Sequence, residues 1–313
     1  SLRGLTVADW ADAWLADLAR TAAAGTLRKR RSDLRRHILP YLGDAELAAL
    51  TSADLSTWWH TLDTTPGARR NAYETMRALL NAAVADDRTL LTENPLSIKG
   101  GAREARVSAK YLYSPGQVAA LAAEMPARYR ALVVLLADAG LRINEALALT
   151  RSSIIEREDG GMSVRVERSL HRAGRHLEPG PTKTAAGVRT VVLMGATAGA
   201  LRAHLRHHVD EGPAAILFPA PKGSGYARDT ALARLLAAAH ERAGIIIPDG
   251  LSGGWHALRH YSATRYGQAG ATTRALMTRY GWSDPAMAAR YQRSDEEYER
   301  ELVARMEDRA DKL

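Results

Sequence analysis

The stretch from residue 255 to residue 293 carries side chains that could act together on a phosphate ester. His256 and Arg259 lie in WHALRHYS, and Trp282 and Tyr291 follow in YGWSDPAMAARYQR. A phosphodiester repels nucleophiles through its charge and loses a basic alkoxide, so its cleavage needs cationic donors and a source of protons. Arginine suits the first task because its planar fork can hold two phosphate oxygens and keeps its charge at any working pH. These residues therefore predict a phosphate pocket with a tyrosine as its nucleophile.

Two more cations lie upstream of this stretch. AGLRINEALAL contains Arg142, with Glu145 three residues later, and PTKTAAGVRTVVL contains Lys183 in a hairpin-like segment. Taken singly, such an arginine or lysine is more often a solvated side chain or part of an ion pair, and a Trp or Tyr is more often part of a core. The ordered combination of these residues is what favours catalysis over packing.

The composition is consistent with an anionic partner. The chain has 313 residues, of which 46% are apolar, enough for two domains with real cores. A formal charge of +8 and a pI near 9.8 favour a nucleic acid or an anionic surface as the partner. The absence of cysteine excludes disulfides, thiolate zinc sites and cysteine nucleophiles and fits a reducing compartment. The sequence has no run of about 18 apolar residues and carries acids where a signal peptide has its basic end, so we expect a cytoplasmic protein.

Residues 1–96 predict a small bundle of four helices. Apolar residues recur at helical spacing in VADWADAWLADLA and again in TLRKRRSDLRRHIL. A third helix is expected to begin near Ser52, whose side chain can cap it, and a fourth to run from about Ala68 to a point before Pro95. Residues 97–110, SIKGGAREARVSAK, are basic, contain a Gly pair and lack periodicity, which predicts an exposed linker between two domains.

Residues 111–313 predict a second domain that is mainly helical with a small antiparallel β-sheet, so the fold class is α+β. The helix in YRALVVLLADA should end at Gly140, which leaves Arg142 at the start of the next helix. The pattern changes to strands in SIIEREDGGMSVRVERSL, which predicts a hairpin around its Asp-Gly-Gly turn. VRTVVLM predicts a third strand, with Lys183 in the turn before it.

In order and spacing, these motifs resemble those of the tyrosine recombinases of the phage integrase family. The resemblance covers most of the sequence, with a helical core-binding domain, a basic linker and a mixed catalytic domain. It implies catalytic roles for Arg142, Lys183, His256, Arg259, Trp282 and Tyr291, and supporting roles for Glu145 and His260. RxxE and HxxR motifs occur often by chance, and their combination in this order is what makes the resemblance specific.

One position departs from the family pattern. The family usually has a second histidine in a GHS-like motif, where this chain has GWS with Trp282 at its centre. An indole N–H can donate to a phosphate oxygen but cannot shuttle a proton, and some members of the family carry tryptophan there. We therefore expect Trp282 to serve packing and hydrogen bonding. Tyr291 follows it by nine positions, which is the family spacing, whereas Tyr280 and Tyr298 are expected to be structural.

The resemblance also implies the reaction. Because a free phenol titrates at about 10, Tyr291 must lose its proton as it attacks, with His256 as the expected acceptor. Lys183 would protonate the departing 5′-oxygen. The product would be a 3′-phosphotyrosyl intermediate and a free 5′-hydroxyl, which then attacks the partner strand. The bond energy stays in the ester, so the scheme requires no ATP, no metal and no other cofactor.

Both domains are expected to close around duplex DNA and to contact mainly its phosphates. The candidates on the first domain are basic residues of its second and fourth helices, for each of which a solvated basic face is an equal alternative: Arg28, Lys29, Arg35, Arg36, Arg69 and Arg70. The family implies double-stranded attachment sites and a homotetramer assembled on DNA, with host DNA-bending proteins and directionality factors as further partners. The tail DEEYERELVARMEDRADKL is expected to dock on a neighbouring protomer.

The resulting prediction is a site-specific DNA recombinase, an integrase of a phage or another mobile element that acts at the nucleoid of a bacterial cell. A chromosome-dimer-resolving recombinase of the same family is the nearest alternative, and a type IB topoisomerase-like enzyme is a more distant one. The alternative from another class is a non-enzymatic helical DNA-binding protein. Many integrases also carry an N-terminal domain that binds arm-type sites, and the sequence leaves open whether such a domain precedes residue 1.

Overall fold

Two hydrophobic cores divide the chain into two units, Ser1–Val107 and Ser108–Leu313. The structure is a computed structural model, and it describes residues 4–87, 89–101, 109–173, 176–222, 225–292, 299–300 and 303–304. The predicted fold class is confirmed, because the described residues are mainly helical and the second unit adds small antiparallel sheets. Within the described ranges, no helix combines the length and hydrophobicity needed to cross a bilayer.

The first unit is built from helices that pack around buried tryptophans and leucines. Those of its described residues are α1 (Val7–Thr21), α2 (Ala24–Asp33), α3 (Leu39–Leu42), α4 (Ser52–Thr61) and α5 (Pro66–Val84). The predicted cap of α4 is wrong by one residue. Thr51 caps α4 because its backbone is extended and its hydroxyl accepts from the Asp54 N–H. Ser52 is already helical, and its hydroxyl donates to the Pro95 carbonyl at 2.8 Å.

The helix predicted for TLRKRRSDLRRHIL is not continuous. A π-helical segment, Leu34–Ile38, separates α2 from α3. The Leu39 N–H donates to the Leu34 carbonyl across five residues, and Pro40 follows with no N–H to restore the α-helical ladder. Leu34 and Ile38 are nevertheless buried in the core, as the helical spacing of apolar residues predicts.

The second unit contains longer helices around a set of short strands. Its described helices are α6 (Pro115–Glu124), α7 (Ala127–Ala139), α8 (Ile143–Ala146), α9 (Gly195–His208), α10 (Asp229–Arg242), α11 (Trp255–Gln268), α12 (Thr273–Tyr280) and α13 (Pro285–Ala289). Its described strands are β1 (Ala109–Lys110), β2 (Ile154–Glu156), β3 (Met162–Val166), β4 (Arg168–Ala173), β5 (His176–Pro181), β6 (Arg189–Leu193) and β7 (Leu251–Ser252).

The strands form three small sheets. β2, β3 and β6 lie side by side and antiparallel, with Ile154 opposite Val164 and Val164 opposite Val191. The predicted hairpin and third strand are confirmed, but the single strand predicted for MSVRVERSL is wrong. The chain leaves the first sheet after Val166, and β4 pairs antiparallel with β5. β5 carries two prolines and a glycine in HLEPGP, which hid it from the sequence pattern. The third pair, β1 with β7, is parallel.

The long helices fix the place of the first predicted arginine. α7 is largely buried and packs against α9 and α11. It ends at Gly140, whose φ of 62° is the left-handed conformation expected of a helix-ending glycine. A Cβ at this position would lie 2.2 Å from Cε1 of Tyr280. Arg142 then caps α8 as predicted, so the turn after α7 delivers it to the end of α12.

Candidate active site

A stack of three aromatic rings holds the candidate nucleophile. The Tyr291 ring stacks on Trp282 with 5.2 Å between centroids and 12° between planes, and Trp282 stacks on Tyr280 at 4.9 Å. Tyr280 is fully buried, as expected of a structural residue. Trp282 is 8% exposed, so packing, one of the two roles expected of it, is realised. Tyr298, the third candidate tyrosine, lies outside the described residues.

The hydroxyl of Tyr291 lies 3.1 Å from Nδ1 of His260. Burial raises the pKa of Tyr291 above its usual value, although the charges of Arg259 and Arg290 oppose this. Burial, followed by the charge of Lys110, lowers the pKa of His260, so its ring is neutral and able to accept a proton at neutral pH. The histidine in contact with the Tyr291 hydroxyl is therefore His260, whereas the sequence had pointed to His256 as the proton acceptor.

A glycine sets how closely the candidate nucleophile approaches α11. A Cβ at Gly267 would lie 1.9 Å from the backbone oxygen of Tyr291, so the chain at Tyr291 rests directly on this helix. The same helix carries His256, Arg259 and His260. The sequence did contain a signal for this contact, because a glycine within a helix weakens it unless a neighbour needs the space.

Arg259 is the most buried of the predicted phosphate ligands. It is 3% exposed, and its two terminal nitrogens donate to the carbonyls of Gly140 and Tyr280, each at 2.6 Å. Its guanidinium also lies 5.5 Å from the centre of the Trp282 ring. Burial, followed by the positive charge of Arg142, lowers the pKa of Arg259 to about 9. The group stays protonated at neutral pH, but in surroundings that oppose its charge.

Arg142 is held by a buried carboxylate and remains accessible. Its Nη1 donates to Oε1 of Glu145 at 2.7 Å and its backbone N–H to Oε2 at 2.9 Å, while the Arg142 side chain is 39% exposed. Burial alone would raise the pKa of Glu145, but the hydrogen bond and charge of Arg189, with the hydrogen bonds from Arg142, outweigh it and lower the pKa. Glu145 is therefore an anion that orients Arg142.

The remaining predicted catalytic residues are less closely joined. His256 lies at the start of α11 with part of its side chain exposed; burial of the rest, followed by the charges of Arg259, Lys110 and Arg142, lowers its pKa. Lys183 is exposed in the bend between β5 and β6, as predicted, and forms no hydrogen bond or ion pair with another described residue. The structure thus brings together six of these residues: Arg142, Glu145, Arg259, His260, Trp282 and Tyr291. His256 lies close enough for the charges of Arg142 and Arg259 to lower its pKa, whereas Lys183 contacts none of the six.

Two cations near this site were missed by the sequence reading. Arg189 is a buried partner of Glu145, at 2.8 Å, and Lys110 lies close enough to lower the pKa of both His256 and His260. Arg189 did give a signal. In VRTVVLM it alternates with Val191 and Leu193, so it occupies an inward position of its strand, where a charge needs a partner. Nothing in the sequence distinguished Lys110 from the other basic residues of its segment.

The six basic residues predicted to contact DNA divide into two groups. Three are half-buried and paired within the first unit: Lys29, Arg69 and Arg70. Three are exposed: Arg28, Arg35 and Arg36. As for metals, no three His, Asp or Glu side chains of the described ranges lie close enough together to hold an ion.

Comparison with known proteins agrees with this arrangement. Residues 115–298 match the model of the phage integrase family, and residues 6–62 match the N-terminal SAM-like domain of phage integrases. The chain belongs to the phage integrase family. It is 34% identical over 311 residues to the integrase of Mycobacterium phage FRAT1, covering 98% of this chain and 89% of that protein. The similarity of this recombinase to the phage enzyme thus extends over nearly its whole sequence.

Solved structures show the same fold at low sequence identity. The Tn1549 transposon integrase, solved in complex with transposon right end DNA, superposes with a TM-score of 0.80 at 18% identity, over 96% of this chain and 99% of that chain. A lambda integrase tetramer bound to a Holliday junction gives a TM-score of 0.66 at 15% identity, over 95% of this chain and 81% of that chain. The recombinase therefore shares the two-domain architecture of these integrases.

Proposed function

We propose that this recombinase integrates a phage or another mobile element by cutting and rejoining duplex DNA at attachment sites. Residues 111–313 carry the chemistry, residues 1–96 form the core-binding domain, and residues 97–110 join them. The family and the phage relative that matches 98% of this chain support the class of reaction. The observation that carries the assignment of the site is the charge imbalance beside Tyr291.

Three guanidinium groups share one buried carboxylate in this site. Arg142 and Arg189 bind Glu145 directly, and Arg259 responds to the charges of all three. A buried cation is costly without a counterion, as the lowered pKa of Arg259 indicates. A phosphate group would supply that counterion and could accept hydrogen bonds from the exposed edge of Arg142. The arrangement supports a site built for the phosphate of a nucleic acid backbone.

The neighbouring residues complete a transesterification. The Tyr291 oxygen attacks phosphorus and its proton passes to His260, which lies 3.1 Å away. The P–O5′ bond breaks, and the departing 5′-oxygen takes a proton from Lys183, once the bend that carries this lysine meets the DNA. Arg142, Arg259 and His256 hold the non-bridging oxygens, and Trp282 fixes the Tyr291 ring and can donate its indole N–H. The new phosphotyrosyl ester keeps the bond energy, and the 5′-hydroxyl of a partner strand reverses the step.

Recombination between two duplexes requires four such sites. The lambda integrase tetramer bound to a Holliday junction has the same fold, which supports a homotetramer on DNA for this chain too. The exposed Arg28, Arg35 and Arg36 are the proposed phosphate contacts of the first domain. Arg28, Lys29, Arg69 and Arg70 each have an intramolecular interaction that a phosphate would have to replace.

A covalent capture experiment tests this function without knowledge of the attachment sequence. The probe is a library of random-sequence duplexes with a nick near the centre, so that cleavage releases a short strand and traps the protein on the DNA. We expect wild-type protein to form adducts that survive detergent and to enrich one sequence. Tyr291→Phe should form no adduct while binding the enriched duplex normally. Tyr266→Phe, a tyrosine on α11 in contact with Tyr280, is the matched control and should behave as wild type.

The alternatives give different outcomes in the same experiment. Enrichment without any adduct in the wild-type protein would identify a non-enzymatic DNA-binding protein. Adduct formation by Tyr291→Phe would refute the nucleophile. Joining of the captured site to a second duplex separates a recombinase from a topoisomerase-like enzyme, which would reseal its own strand. Locating the enriched sequence beside the integrated element or at a host chromosomal site then distinguishes an integrase from a chromosome-dimer-resolving recombinase.

A further inference from the structure

Arg189, the first residue of β6, is a buried arginine that neither binds the phosphate nor transfers a proton in the reaction proposed above. Its side chain is 3% exposed. Nη2 donates to Oε2 of Glu145 at 2.8 Å, Nη1 to the Gly187 carbonyl at 2.9 Å, and Nε to the Arg279 carbonyl at 2.8 Å. Because the side chain is closed off from solvent, it is unsuited to hold a phosphate itself. Its three contacts instead reach three segments that carry active-site residues.

The first segment is the start of α8. Glu145 accepts from Arg189 on Oε2, and from the Arg142 guanidinium on Oε1. The carboxylate therefore lies between a buried arginine and a half-exposed one. Arg142 has a flexible side chain, and one edge of its fork is fixed by this carboxylate. The position of Glu145 is in turn fixed by Arg189, so the geometry of Arg142 depends on a residue that does not touch it.

The second segment is the bend that carries Lys183. Arg189 holds the carbonyl of Gly187, and a Cβ at Gly187 would lie 2.6 Å from the side chain of Thr182. The hydroxyl of Thr182 donates to the carbonyl of Thr184 at 2.8 Å, across the bend. Lys183 is thus displayed from a bend whose base is anchored on Arg189.

The third segment is the end of α12. Arg189 bonds the carbonyl of Arg279, and a Cβ at Gly281 would lie 3.1 Å from Nη1 of Arg189 and 2.8 Å from the carbonyl of Ala186. Gly281 has a φ of 61°, and Trp282 follows it directly. The close approach of Gly281 places the Trp282 backbone against the base of the Lys183 bend.

We propose that Arg189 is a positioning residue for strand cleavage. It holds Glu145, and through Glu145 the guanidinium of Arg142, in fixed register with the Lys183 bend and with Trp282. The inference rests on the recombinase chemistry proposed above, because it assigns Arg189 to the alignment of those groups. An ordinary buried ion pair would stabilise the fold but would leave the protonation of Glu145 irrelevant to the reaction rate.

Loss of Arg189 should change how the reaction depends on pH. In the wild-type protein the pKa of Glu145 is lowered in spite of burial, because Arg189 and Arg142 favour the anion. Removal of Arg189 leaves burial opposed by Arg142 alone, so the pKa of Glu145 must rise. As pH falls, the variant protonates Glu145 and releases Arg142 at a pH where the wild type still holds both. The cleavage rate of the variant should therefore gain an acidic loss from Glu145 in addition to the one that His260 sets in the wild type, so that the rate begins to fall at higher pH.

The test is single-turnover cleavage, between pH 5 and pH 8, of the nicked duplex that the capture experiment enriches. We expect Arg189→Gln to cleave about 10²-fold more slowly, because a misplacement of about 1 Å costs that much, while its affinity for the duplex is unchanged. Arg189→Lys keeps the charge and should restore the wild-type pH profile but not the full rate, because an ammonium cannot reproduce the fork. The matched control is Arg202→Gln, a partly exposed arginine paired with Glu156, which should change neither.

A double-mutant cycle and a DNA-free measurement decide the outcome. If Arg189 acts through Glu145, then Arg189→Gln should cost little more in a Glu145→Gln background, whereas fully multiplicative losses would overturn the proposal. The free energy of unfolding against pH, compared with Glu145→Gln, reports the pKa of Glu145 without DNA. Should Arg189→Gln fail to fold, a wild-type cleavage rate in Arg189→Lys would overturn the proposal. A wild-type protein that forms no adduct refutes the proposed function, whereas normal cleavage by Arg189→Gln refutes the positioning role alone.

Discussion

Arg259 of the second unit and Arg35 and Arg36 of the first unit differ in how their guanidinium groups are held. Arg259 is 3% exposed, and its guanidinium donates hydrogen bonds to two backbone carbonyls and lies beside the indole ring of Trp282. Arg35 and Arg36 lie exposed on the π-helical segment. The buried group is fixed before any DNA arrives, whereas the exposed groups keep the rotamer freedom of a long side chain.

The buried and the exposed arginines depend on different properties of the guanidinium group, its planar shape in the first case and its positive charge in the second. A buried arginine is selected for its planar fork, because each nitrogen meets a partner at a set place. An exposed arginine contributes mainly a positive charge that displaces counterions from a phosphate backbone. A change from arginine to lysine keeps the charge and removes the fork. It therefore tests the two uses directly.

The largest expected effect comes from Arg259→Lys. A lysine ammonium cannot reach the carbonyls of both Gly140 and Tyr280 while it faces a phosphate, so we expect the single-turnover cleavage rate to fall by about 10² to 10³-fold. Arg265→Lys, at an exposed position of the same helix, is the control. Cleavage within a few-fold of wild type for Arg259→Lys would mean that charge alone suffices at the buried site.

An effect of intermediate size should appear in the pH dependence of cleavage. The lowered pKa of His260 keeps its ring neutral below the ordinary range of histidine, so the wild-type rate should persist there and fall only as His260 is protonated. His260→Gln should lower the rate by about 10 to 10²-fold and remove this acidic limb. His256→Gln should lower the rate but keep the limb. The reverse pattern would restore His256 as the proton acceptor.

The smallest effects are expected on the exposed face. Arg35→Lys and Arg36→Lys should leave DNA affinity close to wild type, because their charge is kept. The corresponding glutamine variants should each weaken binding by a few-fold and reduce the slope of log affinity against log salt concentration by about 1. Arg20→Gln, an exposed residue of α1 paired with Asp17, is the control. A strong loss of affinity in the lysine variants would show that this face also depends on the fork.

The sequence predicted what local pattern and motif order determine. The α7 end at Gly140, the cap at Arg142 and the helix of WHALRHYS all follow from rules that act over a few residues. The break at the π-helical segment was missed because Pro40 affects the helix several residues before it. The contact of Tyr291 with His260 was missed because it depends on how the segment after α13 packs on α11, which no spacing along the chain encodes.

The role of Arg189 shows a different limit. Its inward position in β6 could be deduced from alternation with Val191 and Leu193. Its partners could not, because Glu145 lies 44 residues away and the carbonyl of Arg279 lies 90 residues away. Motif order identified the residues that are proposed to meet the phosphate. It carried no information about the buried residues that align them.

The contact at Gly267 has a consequence for the distance between Tyr291, the proposed nucleophile, and His260, its proposed proton acceptor. A hydrogen atom in place of a methyl group lets the main chain at Tyr291 lie on α11, the helix that also presents His260. One helix, α11, therefore sets the distance between the Tyr291 phenol and the His260 imidazole. Any side chain at residue 267 would push the main chain at Tyr291 away from α11 and lengthen this distance, with every proposed catalytic side chain unchanged.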